Sequence, residues 1–216
     1  MAGVVAGHRD IARAPASSFE IIVFDDGNTD ATWAALDASR AATSELQLMR
    51  NPSRAGIPFS MKRLCADARG EWIYFAAADG HVPAVAFERM WSVREGAARV
   101  VGRRIPRRDP ASRVLIAQVY STMLRWIFRL LVRDIDSAKL YRADELRAVP
   151  ARSESNFFEA EILIALCSRG RTVREIDIPH TPRIAGAAKG VTPADAFLAL
   201  RDVSAFTIGW LFRRGH

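Results

Sequence analysis

The chain is poor in cysteine, with two among 216 residues. Cys65 and Cys167 have no partners at metal-ligand spacing, which excludes a cysteine-ligated zinc site. Two buried free thiols in a reducing compartment is the plain reading, and one disulfide is the alternative. Long apolar runs are also lacking. No stretch reaches the ~18 to 20 uncharged apolar residues of a spanning helix. The opening residues hold no apolar signal core. Internal repeats and low-complexity tracts are absent. Lysine is scarce, so the positive charge is carried almost wholly by arginine.

What is present is ordinary globular material with an unusual charge. Half the residues are apolar and a quarter are charged, which argues against disorder. The length suits one domain with a sizeable core. Formal net charge is +7 with a sequence pI near 10.2. Such a surplus favours anionic partners, and arginine grips phosphate in a bidentate fork. An Ala- and Arg-rich codon usage explains the overall surplus equally well, so only local clusters carry weight. The cluster at 103–108 has no interleaved aromatic residues, so a nucleic-acid partner is not expected.

Strand and helix patterns alternate. Residues 4–14 read as a helix. Residues 19–24 (FEIIVF) form a short apolar run stopped by Asp25-Asp26-Gly27, a buried parallel strand with expected neighbours on both sides. Thr29 or Asp30 is the expected cap of the next helix. Strands follow at 46–50, 72–76 and 99–102, with helices at 59–68 and 83–94. After an Arg- and Pro-rich loop at 103–113, a long helical stretch covers 114–133. A helix at 156–169, a strand at 173–178 and a last helix from Pro193 complete the chain. This order indicates an α/β fold with a mostly parallel sheet flanked by helices. Ligands collect at the carboxyl ends of such strands, where Asp25-Asp26 and Asp79 fall.

Four separated blocks carry a resemblance. FEIIVFDDGNTDAT (19–32) resembles the "EIIVVDDGSTDGT" segment of family 2 glycosyltransferases. Asn51, Gly56 and Gly70 continue its pattern. YFAAADGHVP (74–83) is similar to the family's "D-x-D-G-Q-x-P", with Ala77 in place of the first Asp. RDIDSAKLYR (133–142) resembles "D-I-D-C-G-F-K-L-Y-R", one residue short. EILIALCSRGRTVREIDIPHTPRIAGAAKG (161–190) resembles the family's last block.

The resemblance implies a GT-A-like domain over 1–205, with a nucleotide-sugar half (1–102), an acceptor half (103–205) and a helical tail (206–216). It implies transfer of a sugar from a nucleotide sugar to a polyprenyl phosphate, on the inner face of a membrane. Asp25, Asp26 and Asn51 would meet the nucleotide, and Asp79 a Mg²⁺ or Mn²⁺ ion weakened by Ala77. Asp134 would be the catalytic base or steering group, and Arg113, Arg183 and Lys189 would grip the acceptor phosphate. The competing readings are an N-cap turn for Asp25-Asp26 and a solvated helix end for Asp134. His180 reads as structural.

Family members open with a strand and a "P-x-x-N-E" turn before the first helix. The chain therefore reads as lacking that first strand, through a misplaced start or decay. A catalytically impaired binding subunit is the alternative function. In VLIAQVYSTMLRWIFRLLVR (114–133), Arg125, Arg129 and Arg133 recur at i, i+4 and i+8. Beside a wide apolar face they suit a helix lying in an anionic membrane interface. A core helix with a snorkelling Arg edge is the alternative.

Overall fold

A computed structural model describes residues 2–13, 15–28, 31–41, 43–181 and 193–214. The elements in chain order are α1 (Ala2–Ala12), β1 (Ile21–Asp25), α2 (Thr32–Arg40), β2 (Leu46–Arg50), α3 (Ile57–Asp67), β3 (Trp72–Phe75) and α4 (Val85–Ser92). There follow β4 (Arg99–Arg104), α5 (Ala111–Phe128), β5 (Lys139–Arg142), α6 (Ala143–Arg147), α7 (Phe157–Ser168), β6 (Val173–Ile178) and α8 (Pro193–Arg214). Thr29 and Asp30, the expected caps of α2, lie outside the described residues.

The strands form two sheets. β1 pairs with β2 in parallel, Ile21 opposite Leu46 through Asp25 opposite Arg50. The second sheet has the order β3-β5-β4-β6. β4 and β6 are parallel, while β5 runs antiparallel to both β3 and β4. The sheet is therefore mixed, because the four-residue β5 inserts between two parallel strands. Sequence patterning does not show this strand: KLYR has charged ends and takes its conformation from its partners.

The period-two alternation of strands sorts the core. Val100, Leu140 and Ile178 turn toward Val82, Ala86 and Met90 at α4. Ile73 and Tyr141 turn to the other face, against Met61, Phe158, Ile162 and Leu166 from α3 and α7. Arg99 lies on that second face, fully buried. It is tolerated because its guanidinium donates to the Glu159 and Ile135 carbonyls at 3.1 and 3.4 Å. A third cluster joins α5, α7 and α8 through Leu124, Phe128, Phe157, Leu163 and Trp210.

β1 has one partner strand among the described residues, and its residues before Asp25 are half-buried where the apolar pattern suggests full burial. Among the described residues no strand pairs with the second edge of β1 or of β3. An apolar strand with one open edge cannot reach the burial of a central one. Glu20, just before β1, accepts from the Arg69 amide at 2.6 Å, tying the start of β1 to the approach of β3.

α5 ends five residues earlier than the sequence pattern suggests. Arg129 adopts a left-handed φ of 55°. The amides of Arg129 and Leu130 both return to the Arg125 carbonyl, a Schellman-type stop. Arg133 is consequently off the helix, and the expected three-arginine stripe is not continuous.

Candidate active site

β3, β4 and β6 run in one direction, since β3 and β4 each oppose β5 and β6 parallels β4. Their carboxyl ends share one edge. Asp79-Gly80-His81 follows β3, residues 105–110 follow β4, and His180 follows β6. The segment with Asp134 leads into the opposed β5 and so arrives at the same edge.

Backbone bonds fix these segments to one another. The Thr181 amide donates to the His81 carbonyl at 2.9 Å, and the Thr181 hydroxyl donates to the Gly80 carbonyl at 2.8 Å. The His81 amide donates to Asp79 Oδ1 at 3.1 Å. His180 is buried; its Nδ1 accepts the Arg108 amide at 2.9 Å. Its Nε2 lies 3.3 Å from His81 Nδ1. Burial holds the His180 pKa below the ordinary imidazole value, against the pull of Asp109. His81, Asp109 and His180 each offer a ligand atom, all within 4.8 Å of one another.

Asp134 is buried and bidentate to Arg104, at 2.8 Å to Nε and 2.7 Å to Nη2, with the Arg104 amide at 3.1 Å. Arg107 adds a charge at 3.8 Å. Burial alone would raise the Asp134 pKa; the Arg104 bonds and both guanidinium charges outweigh it and hold the carboxyl below its usual range. Glu175 accepts the amides of Arg133 and Asp134, at 2.6 and 2.9 Å, and so sets the approach to β5. Asp134 is thus an oriented anion rather than a solvated helix end.

The second group sits at the carboxyl end of β1. Asp25 Oδ1 accepts from the Asn28 side chain at 2.6 Å, and Arg50 Nε lies 3.1 Å from Asp25 Oδ2. Asp26 Oδ1 accepts from Asn51 Nδ2 and the Ala55 amide, each at 2.9 Å. Its Oδ2 accepts the Gly56 amide at 2.8 Å. Burial tends to raise the Asp26 pKa, and these bonds more than offset it, leaving the carboxyl low. Asp25, Asp26 and Asn51 are therefore brought together at this strand end, where Asp26 organises the loop 51–56. Arg183 and Lys189 lie outside the described residues, as does the Arg113 side chain, although Arg113 falls within the first turn of α5.

Sequence reasoning missed Arg104, Arg107, Asp109 and His81 as members of the site. The available signal was position: Arg104 ends β4, and the other three follow β3 or β4. The residues implied for a divalent cation fit one chemically, since Asp79 supplies a carboxylate and the adjacent histidines supply nitrogen donors.

The outward face of α5 is apolar. Leu115, Ile116, Val119 and Ile127 are exposed, Trp126 is 84% exposed, and Leu131 just beyond the helix is 90% exposed. Phe197, Leu200 and Ile208 are exposed on α8. Phe206 and Trp210 of α8 pack on Phe128 of α5. Among the described residues no helix is long and apolar enough to cross a membrane.

The profile described as Glycosyl transferase family 2 matches residues 7–145. Solved structures with the same fold include glucosyl-3-phosphoglycerate synthase from Mycobacterium tuberculosis with Mn²⁺, UDP and phosphoglyceric acid. That match has 16% identity and a TM-score of 0.72, covering 95% of this chain and 73% of that one. The same enzyme with Mn²⁺, UDP-glucose and phosphoglyceric acid matches at 16% identity and a TM-score of 0.68, covering 93% and 75%. With Mg²⁺ and UDP it matches at 16% and 0.65, covering 94% and 74%. No curated protein matches the sequence.

Proposed function

Because the chain belongs to glycosyl transferase family 2, we propose that it moves a sugar from a nucleotide sugar to a polyprenyl phosphate, bound peripherally at the inner, anionic face of a membrane. The observation that carries the lipid acceptor is the outward apolar face of α5 and α8. Exposed apolar side chains gathered on one face of a helix suit a contact surface. Arg129 and Arg133 are exposed at its end, where they suit phosphate headgroups.

In this reading Asp25, Asp26 and Asn51 meet the base and ribose. Asp79 would hold a divalent cation, and the chemistry that ion would supply is charge neutralisation at the departing diphosphate. Arg113, Arg183 and Lys189 grip the acceptor phosphate. An acceptor phosphate oxygen attacks the anomeric carbon in line, the bond to the nucleoside diphosphate breaks, and the configuration inverts. Asp134 has a lowered pKa, which makes it a poor proton acceptor. A polyprenyl phosphate needs no deprotonation at neutral pH, since the second phosphate pKa is about 6. Asp134 therefore steers, by fixing Arg104 and Arg107 as N–H donors toward the anionic acceptor.

The test is a transfer assay with labelled nucleotide sugars, Mn²⁺ or Mg²⁺, and two acceptors: polyprenyl phosphate in vesicles and phosphoglyceric acid in solution. Label in the lipid phase is the expected result. Label only on the soluble acid overturns the lipid acceptor. Donor binding without transfer to either identifies the impaired binding relative.

A further inference from the structure

We propose that Asp136, with the Tyr120 hydroxyl beside it, forms a subsite that binds hydroxyl groups of the sugar ring under transfer. This deepens the transferase reading and rests on it. Topology sets the place. β5 lies between β3 and β4 in the sheet and runs against both. The segment 134–138 that enters β5 therefore arrives at the carboxyl edge between two flanks. On one side is the loop after β3 with Asp79, the position read for the departing diphosphate. On the other are Arg104 and Arg107, the donors read for the anionic acceptor. A sugar passing from one to the other lies over this segment.

Asp136 is the one residue of that segment that faces outward. Asp134, Ile135, Ser137 and Ala138 are buried, while Asp136 is exposed. Desolvation by the protein around it nevertheless raises its pKa. The two facts together describe a carboxylate on the floor of a cleft, open to solvent above and walled on its other sides. Charged groups face it from the neighbouring elements: Lys139 from β5, Arg99 and Arg104 from β4, and Asp134 from its own segment.

None of those cations is free to satisfy it. Lys139 pairs with Glu159, Arg104 is bidentate to Asp134, and Arg99 donates to the Glu159 and Ile135 carbonyls. Among the described residues the Asp136 carboxylate has no hydrogen-bond partner. The Tyr120 hydroxyl on α5 is buried and unpartnered as well. Burial raises its pKa and the Asp136 charge raises it further, so the phenol lies within the field of that carboxylate and stays protonated. A carboxylate only accepts, and a phenol both donates and accepts. Together they match ring hydroxyls, each of which has a proton to give and lone pairs to receive one. A phosphate group fits less well, because it offers the carboxylate no proton and adds like charge. Leaving both groups unpaired costs free energy that a bound ring recovers.

The experiment is isothermal titration calorimetry on the full chain with Mn²⁺ and a panel of nucleoside diphosphates, each alone, as its hexose ester and as monodeoxy-hexose esters. Asp136→Ala should weaken binding of the hexose ester roughly 10- to 100-fold, the size of a hydrogen bond to a charged group. It should leave binding of the bare diphosphate unchanged. Tyr120→Phe should weaken the ester by roughly tenfold or less. Removing one particular ring hydroxyl should cost the wild type as much as the Asp136→Ala change does and cost the variant nothing, a coupling that a merely structural role does not produce. Asp136→Asn, which keeps the shape and one acceptor oxygen, should restore part of the affinity. No loss in Asp136→Ala, equal losses for the diphosphate and its ester, or a deoxy penalty that persists in the variant overturns the subsite and leaves the transferase reading in place. No binding by any nucleotide overturns both.

Discussion

Gly27→Ala should be among the most damaging single-atom changes in the chain, and the structure divides its cost into two parts. Gly27 has φ +68°, and a Cβ there would fall 2.6 Å from the Ser53 carbonyl carbon and 2.8 Å from the Arg54 nitrogen. These are backbone atoms, which cannot swing aside. Gly170 provides the control: its φ is +70°, and no atom lies within 4 Å of an added Cβ. Gly170→Ala therefore reports the left-handed penalty alone, about 1 kcal/mol. Gly27→Ala carries the same penalty plus overpacking of ~1–3 kcal/mol, for about 2–4 kcal/mol in all. That is a large share of the ~5–15 kcal/mol typical of a folded chain. Urea unfolding followed by far-UV circular dichroism, with the slope held constant, gives both values. Equal costs for the two variants would refute the argument that the turn 25–28 is pressed onto residues 53–54. Gly27→Ala should also weaken nucleoside diphosphate binding, because the same turn positions Asp25 and Asp26.

Arg129→Gly should stabilise the chain by up to about 1 kcal/mol, since glycine accepts the left-handed C-terminal position of α5 without a Cβ clash; thermal denaturation showing a loss would contradict the cap. Asp134→Asn should flatten the acid limb of stability. The native Asp134 pKa lies below the unfolded value of about 3.8; its contribution is present above that pH and lost as pH falls through the native pKa. An unchanged urea midpoint profile between neutral pH and pH ~3 would argue against the Arg104 pair. Trp126→Ser with Leu131→Ser should reduce cosedimentation with anionic vesicles more than tenfold, because each side chain offers up to ~1.5–3 kcal/mol on full burial; equal pelleting would remove this face from the membrane. Ala77→Asp should strengthen the Mn²⁺ dependence of donor binding in a calorimetric titration, and no gain would mean that residue 77 does not face the cation.

The alternation of strands and helices was legible because each period is local. Strands 46–50 and 173–178 have the bounds that their apolar patterns imply. β5 was not legible, because its four residues take their pairing from β3 and β4, more than 30 residues away in each case. The end of α5 was hidden for a different reason: Arg129 occupies a position that usually calls for glycine, so no residue type announces the stop. At the site, the acidic ends of β1 and β3 were visible as breaks in apolar runs. The pairing of His180 with His81 was not, since the two are 99 positions apart and only the parallel arrangement of β3 and β6 brings their ends together. Arg104 was hidden in a stretch whose pattern reads as an arginine-rich loop but whose first two residues end β4, and nothing in the spacing marks it as the bidentate partner of Asp134.

In the proposed function the nucleotide sugar lies along the carboxyl ends of β1 and β3, and hydrogen–deuterium exchange with bound ligand tests that directly. With a nucleoside diphosphate and Mn²⁺ present, amides of residues 25–28, 51–56 and 79–83 should become protected together, and Asp79→Asn should abolish the metal-dependent part. Protection confined to other segments, or none at saturating ligand, would contradict it.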